Sequence, residues 1–111
     1  MKDLNARTEQ LIRDELDRIQ EKYGDKHYAS LHEAMSVIDE EFLELKDEIY
    51  HGKKRAYGDL FQKRIVIMTG PYDLDAEEDR DKMVAELHRQ RIRAEAVQVI
   101  ATCVRLIQEL T

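Results

Sequence analysis

Residues 30–50 read SLHEAMSVIDEEFLELKDEIY, and this stretch decides the fold. Its apolar side chains recur in steps of three and four, which is the spacing of one face of an α-helix. They are Leu31, Ala34, Met35, Ile38, Phe42, Leu45 and Ile49. Ser30 with Glu33 three residues later forms a capping box, so the helix should begin there. Because Gly52 follows, we expect this helix to end near Tyr50.

The flanking segments have the same helical character. Residues 3–23 repeat the amphipathic spacing and end at Gly24, a typical C-terminal cap. Residues 53–74 are ambiguous, because RIVIM at 64–68 also suits a short strand. Since no second segment could pair with such a strand, we favour a third helix here.

The last predicted helix begins at Asp75 or just after it, with Glu78 completing an N-terminal cap, and runs to about Leu110. Its second half, AVQVIATCVRLI at 96–107, is apolar on nearly every face and should form the centre of the core. The sequence therefore predicts an all-α protein, an antiparallel bundle of about four helices in a single domain spanning residues 1–111.

Composition limits the possible functions. The chain is 42% hydrophobic and 38% charged, with four Gly and one Pro, which favours long helices. No apolar run approaches the roughly 20 residues that span a bilayer, and the polar start lacks a signal-peptide core, so no membrane association is expected. The formal net charge of −6 speaks against nucleic-acid binding. A single cysteine fits a reducing cytoplasm, where we expect the protein to reside.

Three carboxylates form a row on the helix over 30–50. Glu41, Glu44 and Glu48 lie at i, i+3 and i+7, along the margin of the predicted buried face around Ile38 and Leu45. Neighbouring carboxylates repel one another, whereas Mg²⁺ or Mn²⁺ would turn this repulsion into binding. Geometry alone leaves a second interpretation open, that of a solvated acidic surface. The remaining acids of the stretch, Asp39, Glu40 and Asp47, should face solvent.

The last helix carries a narrow polar stripe within its apolar half. Five side chains at i, i+4, i+7, i+11 and i+14 form it: Arg91, Glu95, Gln98, Thr102 and Arg105. Buried polar groups need partners. They could satisfy one another inside the bundle, for example through an Arg91–Glu95 pair, or the stripe could face the acidic row across a polar pocket.

Two segments together resemble a known family. HEAMSVIDEEFLELKDEI at 32–49 and RAEAVQVIATCVRLIQEL at 93–110 resemble the MazG-like all-α nucleotide pyrophosphohydrolases, especially small members from phages and prophages. The resemblance implies a helical bundle that forms a homodimer or homotetramer and binds Mg²⁺. It also implies hydrolysis of a nucleoside triphosphate between its α and β phosphates, which releases a monophosphate and pyrophosphate.

The family motifs can be matched to individual residues. The resemblance assigns Glu41 and Glu44 to the Glu-x-x-Glu motif that binds metal, and either could orient or deprotonate the attacking water. It assigns Glu95 and Gln98 to the second motif, where the family has Glu-x-x-Asp. An amide supplies an oxygen but no charge and cannot act as a base. Glu48, one turn beyond Glu44, could replace the missing charge as a further metal ligand.

Three questions stay open from the sequence. Phosphate could be bound by several cations that the sequence does not rank: Lys53, Lys54, Arg55, Lys63, Arg64 and Arg91. Gln98 equally favours a degenerate family member that binds nucleotide or metal without turnover. A third possibility is a helical module that binds another protein. We expect a homo-oligomer, because one chain of this size cannot easily cover all of these apolar faces.

Overall fold

The computed structural model describes residues 4–24, 26–61 and 76–111, and these ranges form three α-helices. The helices are α1 at Ala6–Tyr23, α2 at Leu31–Phe61 and α3 at Glu77–Leu110. No strand occurs in the described ranges, so the all-α prediction is confirmed for them. Within the same ranges, no helix has an apolar stretch long enough to cross a membrane.

Helix α1 has a defined cap at each end. The Asn5 side chain accepts a hydrogen bond from the Thr8 backbone N–H at 2.7 Å, so the helix begins at Ala6 rather than at the predicted third residue. At the other end, Gly24 adopts a φ of 60° and donates its N–H to the Gln20 carbonyl at 2.7 Å. The predicted glycine cap is confirmed, since L-residues rarely adopt this φ.

Helix α2 begins as predicted but does not end as predicted. The Glu33 backbone N–H donates to Ser30 Oγ at 3.1 Å, which confirms Ser30 as the cap. The predicted end near Tyr50 is wrong, because α2 continues without interruption to Phe61. Residues 53–61 are therefore the end of α2 and not a separate helix. The remainder of the predicted third helix lies outside the described residues.

The glycine that suggested a helix end has a packing role instead. Gly52 is buried, and a Cβ placed on it would lie 2.1 Å from Glu48 Oε1 and 3.0 Å from His88 Cδ2. Any side chain at this position would collide with α3 or with Glu48. Close approach of the neighbouring groups, and not a change of backbone direction, explains Gly52.

Helix α3 is the central helix, as predicted, because it packs against both α1 and α2. Its N-cap is Ala76, which makes no capping bond through its side chain. The predicted cap pairs Glu78 with Asp75, which lies outside the described residues. Its second half, which is apolar on nearly every face, is only partly buried within one chain. Ile100 and Ile107 are exposed, while Ala101 is fully buried.

Helices α2 and α3 run antiparallel. Tyr28, just before α2, donates its backbone N–H to Glu109 near the end of α3 at 3.1 Å. The far end of α2 meets the beginning of α3 in the main apolar cluster, which comprises Ala56, Leu60, Met83, Val84 and Leu87.

The face of α2 that meets α3 is only partly the predicted one, because Ala34 is buried as predicted whereas two larger residues are not. Small residues, Ala34, Gly52 and Ala56, are buried there, whereas Phe42 and Ile49 of the predicted apolar face are 54% and 48% exposed. Small side chains allow two helix backbones to approach closely, and this contact rotates the larger residues outward. Glu41 and Glu48, which share the side of the small residues, are thereby drawn toward α3.

Candidate functional site

Three carboxylates converge between α2 and α3. Glu41, Glu44 and Glu95 each offer one oxygen, and these oxygens all lie within 4.8 Å of one another. The acidic row of α2 therefore does face the polar stripe of α3. Because the residues come from two helices, only the packing of α3 against α2 could bring them together.

Two of the three carboxylates contain an oxygen that water does not reach. Glu41 Oε2 and Glu95 Oε2 are buried and have no hydrogen-bond partner among the described residues. Glu44, in contrast, is exposed. A buried carboxylate oxygen without a donor is unfavourable. A hard divalent cation would satisfy both oxygens, and the exposed side at Glu44 would admit it.

The local electrostatics also favour a bound divalent cation between these carboxylates. Burial raises the pKa of Glu41 above its usual value, and the charges of Glu44 and Glu95 raise it further. Burial likewise raises the pKa of Glu95, with additional contributions from Glu44 and Glu48, while Arg55 acts in the opposite direction. Glu41 and Glu95 therefore both resist ionisation. A bound cation would reverse this effect.

Glu48, predicted as a metal ligand, lies outside this set of three and is ion-paired. Its side chain is largely buried, with 8% of the residue exposed, and Oε2 accepts a bond from Arg55 Nη2 at 2.9 Å. Arg55 also donates to Asp47 at 2.7 Å. Glu48 Oε1 is buried without a partner among the described residues. His88 Nε2 lies 2.8 Å from the Glu48 backbone oxygen and ties this turn to α3.

Gln98 occupies the wall of a pocket next to the carboxylates. The pocket lies between α1, α2 and α3, has a volume of about 190 Å³, and includes Glu41 and Gln98 in its lining. Thr102, one turn further along α3, donates its hydroxyl to the Gln98 backbone oxygen at 2.7 Å. Gln98 and Glu41 therefore line the same pocket, which matches the alternative in which the polar stripe of α3 faces the acidic row.

Three of the cations predicted to bind phosphate, Lys53, Lys54 and Arg91, do not line this pocket. Arg91 is ion-paired with Asp59 at 2.7 Å, and so it does not form the alternative internal pair with Glu95. Lys53 lines a separate groove with His88 and other α3 residues, and Lys54 is exposed. Lys63 and Arg64 lie outside the described residues.

The pocket beside Glu41 has cations of its own, which sequence reasoning largely missed. They are Arg18, Lys26 and Arg105. Arg105 donates to the Lys26 backbone oxygen at 2.6 Å and stacks on the Tyr28 ring, 4.2 Å from its centroid, which fixes it at the end of the pocket. The spacing on α3 identified Arg105 as polar. No local signal marks Arg18, because its place depends on how α1 docks.

The exposed acids of α2 match their prediction. Asp39, Glu40 and Asp47 are all exposed. The interpretation as a solvated acidic surface therefore holds for these three residues. It does not describe Glu41, Glu48 and Glu95, each of which contains a buried oxygen.

Comparisons of the chain with protein-family models, with curated proteins and with solved structures find no match. The class of protein is accordingly defined by fold and chemistry. The chain's described residues form helices, with a carboxylate cluster on two antiparallel helices beside a pocket lined by both basic and acidic side chains.

Proposed function

We propose that the chain is a MazG-like, Mg²⁺-dependent nucleoside triphosphate pyrophosphohydrolase, which converts an NTP or dNTP to the monophosphate and pyrophosphate. The observation that carries the proposal is the convergence of Glu41, Glu44 and Glu95, with buried carboxylate oxygens on two of them. Clustered carboxylate oxygens select hard cations, and such cations commonly hold phosphate groups.

The residues present fit a magnesium or manganese ion. Glu41, Glu44 and Glu95 would hold it, and the Gln98 amide oxygen is the neutral donor available from the same pocket. When bound, the ion neutralises phosphate oxygens and lowers the pKa of a water. Glu41 or Glu44 would orient the attacking water or accept its proton.

In this proposal, Glu48 can supply the negative charge that Gln98 does not carry. Its carboxylate is bonded to Arg55 and is buried close enough to Glu95 to affect the pKa of that residue. Opening of the Arg55 bond would let Glu48 contribute the charge that Gln98 lacks. We therefore expect Gln98→Asp to raise activity and to reduce the importance of Glu48.

The direct experiment is an assay of pyrophosphate release. A panel of ribo- and deoxynucleoside triphosphates should be tested with Mg²⁺ and with Mn²⁺. Glu95→Gln should reduce kcat by about 100-fold or more, because loss even of groups that only support metal ligands reduces activity 10- to 100-fold. Asp39→Asn is the matched control, since Asp39 is an exposed acid of α2 outside the cluster.

Metal binding can be measured separately from turnover. Mg²⁺ should raise the melting temperature of the parent protein, because a ligand at 100 times its Kd stabilises the folded state by about 2.7 kcal/mol. The shift should be absent in Glu41→Gln and Glu95→Gln and present in Asp39→Asn. No pyrophosphate release from any substrate, together with no metal-dependent shift, would refute the enzyme proposal.

The assembly part of the proposal is a homodimer or homotetramer. An exposed apolar line follows α2 and comprises Leu31, Met35, Phe42 and Ile49. From its first residue to its last, this line is about 27 Å long at 1.5 Å per residue. Pairing of this line with its counterpart in a second copy would complete a four-helix, MazG-like bundle from α2 and α3 of both chains.

Light scattering after size-exclusion chromatography tests the assembly. Phe42→Glu should lower the measured mass to that of one chain. Ser36→Glu, on the opposite side of α2, should leave it unchanged. A parent protein that elutes as a monomer at all concentrations would exclude the homo-oligomer.

A second function is favoured by the same exposed line. If the parent is monomeric and inactive, this apolar face supports the alternative of a helical module that binds another protein, with the carboxylates as a degenerate nucleotide or metal site. Metal-dependent stabilisation without turnover would identify the degenerate site, and absence of both would leave the interaction module.

A further inference from the structure

The pocket beside Glu41 combines the two kinds of charge that a metal-bound phosphate needs. Glu41 lies in its wall and belongs to the carboxylate cluster, while Arg18 approaches from α1. A phosphate group held through a cation on the carboxylates still carries negative charge on its remaining oxygens. An arginine beside it would neutralise that charge.

Arg18 is positioned to neutralise the charge of such a phosphate. Its Nε and Nη2 atoms donate to the Glu15 carboxylate, at 2.9 and 2.5 Å, which fixes the guanidinium. The side chain of Arg18 remains 53% exposed, and Nη1 takes no part in these bonds. The Glu15 bond raises the pKa of Arg18, and the charge of Glu41 contributes too, so the guanidinium and the cluster are within electrostatic range.

Two further arginines, Arg55 and Arg91, do not line this pocket. Arg55 is bonded to Glu48 and Asp47, and Arg91 to Asp59. At the far end of the pocket, Arg105 is four-fifths buried and fixed by its backbone bond and its stacking. Arg18 is therefore the guanidinium that combines exposure, a fixed position and proximity to Glu41.

We propose that Arg18 binds a phosphate of the substrate beside Glu41, so that α1 supplies the phosphate-binding residue of the site. This inference rests on the proposed pyrophosphohydrolase function. It replaces the predicted candidates Lys53, Lys54 and Arg91. It also gives α1 a direct part in the site, although the sequence resemblance covers only segments of α2 and α3.

The test compares two arginines of α1. Arg18→Gln should weaken binding of an α,β-methylene nucleoside triphosphate by about 10- to 100-fold in titration calorimetry with Mg²⁺, as expected for loss of a charge-assisted bond. Arg13→Gln is the matched control, because Arg13 forms an i,i+4 pair with Glu9 and is 66% exposed. It should stay within about two-fold of the parent.

A second variant tests the mechanism of the effect. Glu15→Gln should strengthen binding, because it frees the guanidinium and removes a negative charge near the phosphate. If the gain acts through Arg18, it should largely disappear in the Glu15→Gln/Arg18→Gln double variant. The melting temperature of Arg18→Gln should change little, because the Arg18 side chain is 53% exposed and its ion pair joins residues of one helix.

The possible outcomes separate this inference from the function on which it rests. Pyrophosphate release with the same KM in the parent and in Arg18→Gln would overturn the role of Arg18 and leave the enzyme proposal intact. Nucleotide binding that depends on Arg18, without turnover, would overturn the enzyme proposal alone. A parent protein that binds no nucleotide would overturn both.

Discussion

The two glycines of α2 offer a sharp test of how closely α2 and α3 pack. Both lie inside the helix, where replacement of Gly by Ala normally stabilises a protein by about 1 kcal/mol through helix propensity. A Cβ at Gly58 meets no atom within 4 Å, whereas a Cβ at Gly52 would lie 2.1 Å from Glu48 Oε1 and 2.5 Å from Glu48 Cδ. The same substitution should therefore stabilise the protein at Gly58 and give no net gain, or a loss of stability, at Gly52.

The magnitude follows from a comparison of the two sites. Gly58→Ala should raise the free energy of unfolding by about 1 kcal/mol. Gly52→Ala has the same propensity gain, but it displaces the buried Glu48 side chain and its Arg55 bond, an overpacking cost of about 1–3 kcal/mol. The difference between the variants is thus about 1–3 kcal/mol, or at least about 4 °C in Tm for a chain of this size.

Urea denaturation followed by circular dichroism measures this difference, and a double-mutant cycle identifies its source. In a Glu48→Ala background, the nearest remaining atom is His88 Cδ2 at 3.0 Å, so Gly52→Ala should lose most of its penalty. If Gly52→Ala proves as stable as Gly58→Ala in the parent background, the close packing of Glu48 against Gly52 is incorrect.

Three further predictions concern stability. In metal-free buffer the free energy of unfolding should fall as the pH rises above the ordinary carboxyl range, because the raised pKa values of Glu41 and Glu95 let the folded chain hold protons that the unfolded chain releases. Glu95→Gln should flatten this slope in thermal melts, and an unchanged slope would contradict the burial of its carboxylate. Ser30→Ala should destabilise the protein by about 1 kcal/mol in urea titrations through loss of the α2 cap; no change would mean that the cap is not formed. Asp59→Asn and Arg91→Gln should show a coupling energy of about 1 kcal/mol in a double-mutant cycle, whereas additive effects would exclude their ion pair.

The sequence predicted those features that depend on neighbours along the chain. Helical spacing and caps identified all three helices, including Ser30 and Gly24 at their ends. Within one helix the positions of side chains are set by a fixed rotation per residue, so the row through Glu41 and Glu44 follows from their spacing alone. The polar stripe on α3 left two arrangements open for Glu95, an internal pair with Arg91 or a position facing this row, since buried polar groups need partners of either kind.

Features that depend on contacts between distant segments could not be read in this way. Gly52 resembles a helix end in sequence, and only the packed side chains of Glu48 and His88 show why glycine is needed inside the helix. Arg18 lies on a polar surface of α1 that resembles any solvated helix face. Its proximity to Glu41 depends on the angle at which α1 docks, which no local pattern specifies.

The small residues of the α2–α3 contact connect the fold to the proposed site. Larger side chains such as Phe42 and Ile49 would bury more apolar surface if α2 turned them toward α3, yet they remain exposed. The side that is buried instead carries Glu41 and Glu48, whose unpartnered oxygens oppose folding. Such a conflict between local pattern and packing is expected where a chain is selected for a site as well as for stability.

A cation bound to the carboxylates would give their buried oxygens a partner. A second chain packed on the exposed apolar line would bury its apolar side chains. Metal binding and assembly should therefore each stabilise the same arrangement of α2 and α3. If the two effects are coupled, Mg²⁺ should raise the melting temperature less in Phe42→Glu than in the parent. Equal shifts in the two proteins would show that the carboxylate cluster binds metal independently of the apolar line.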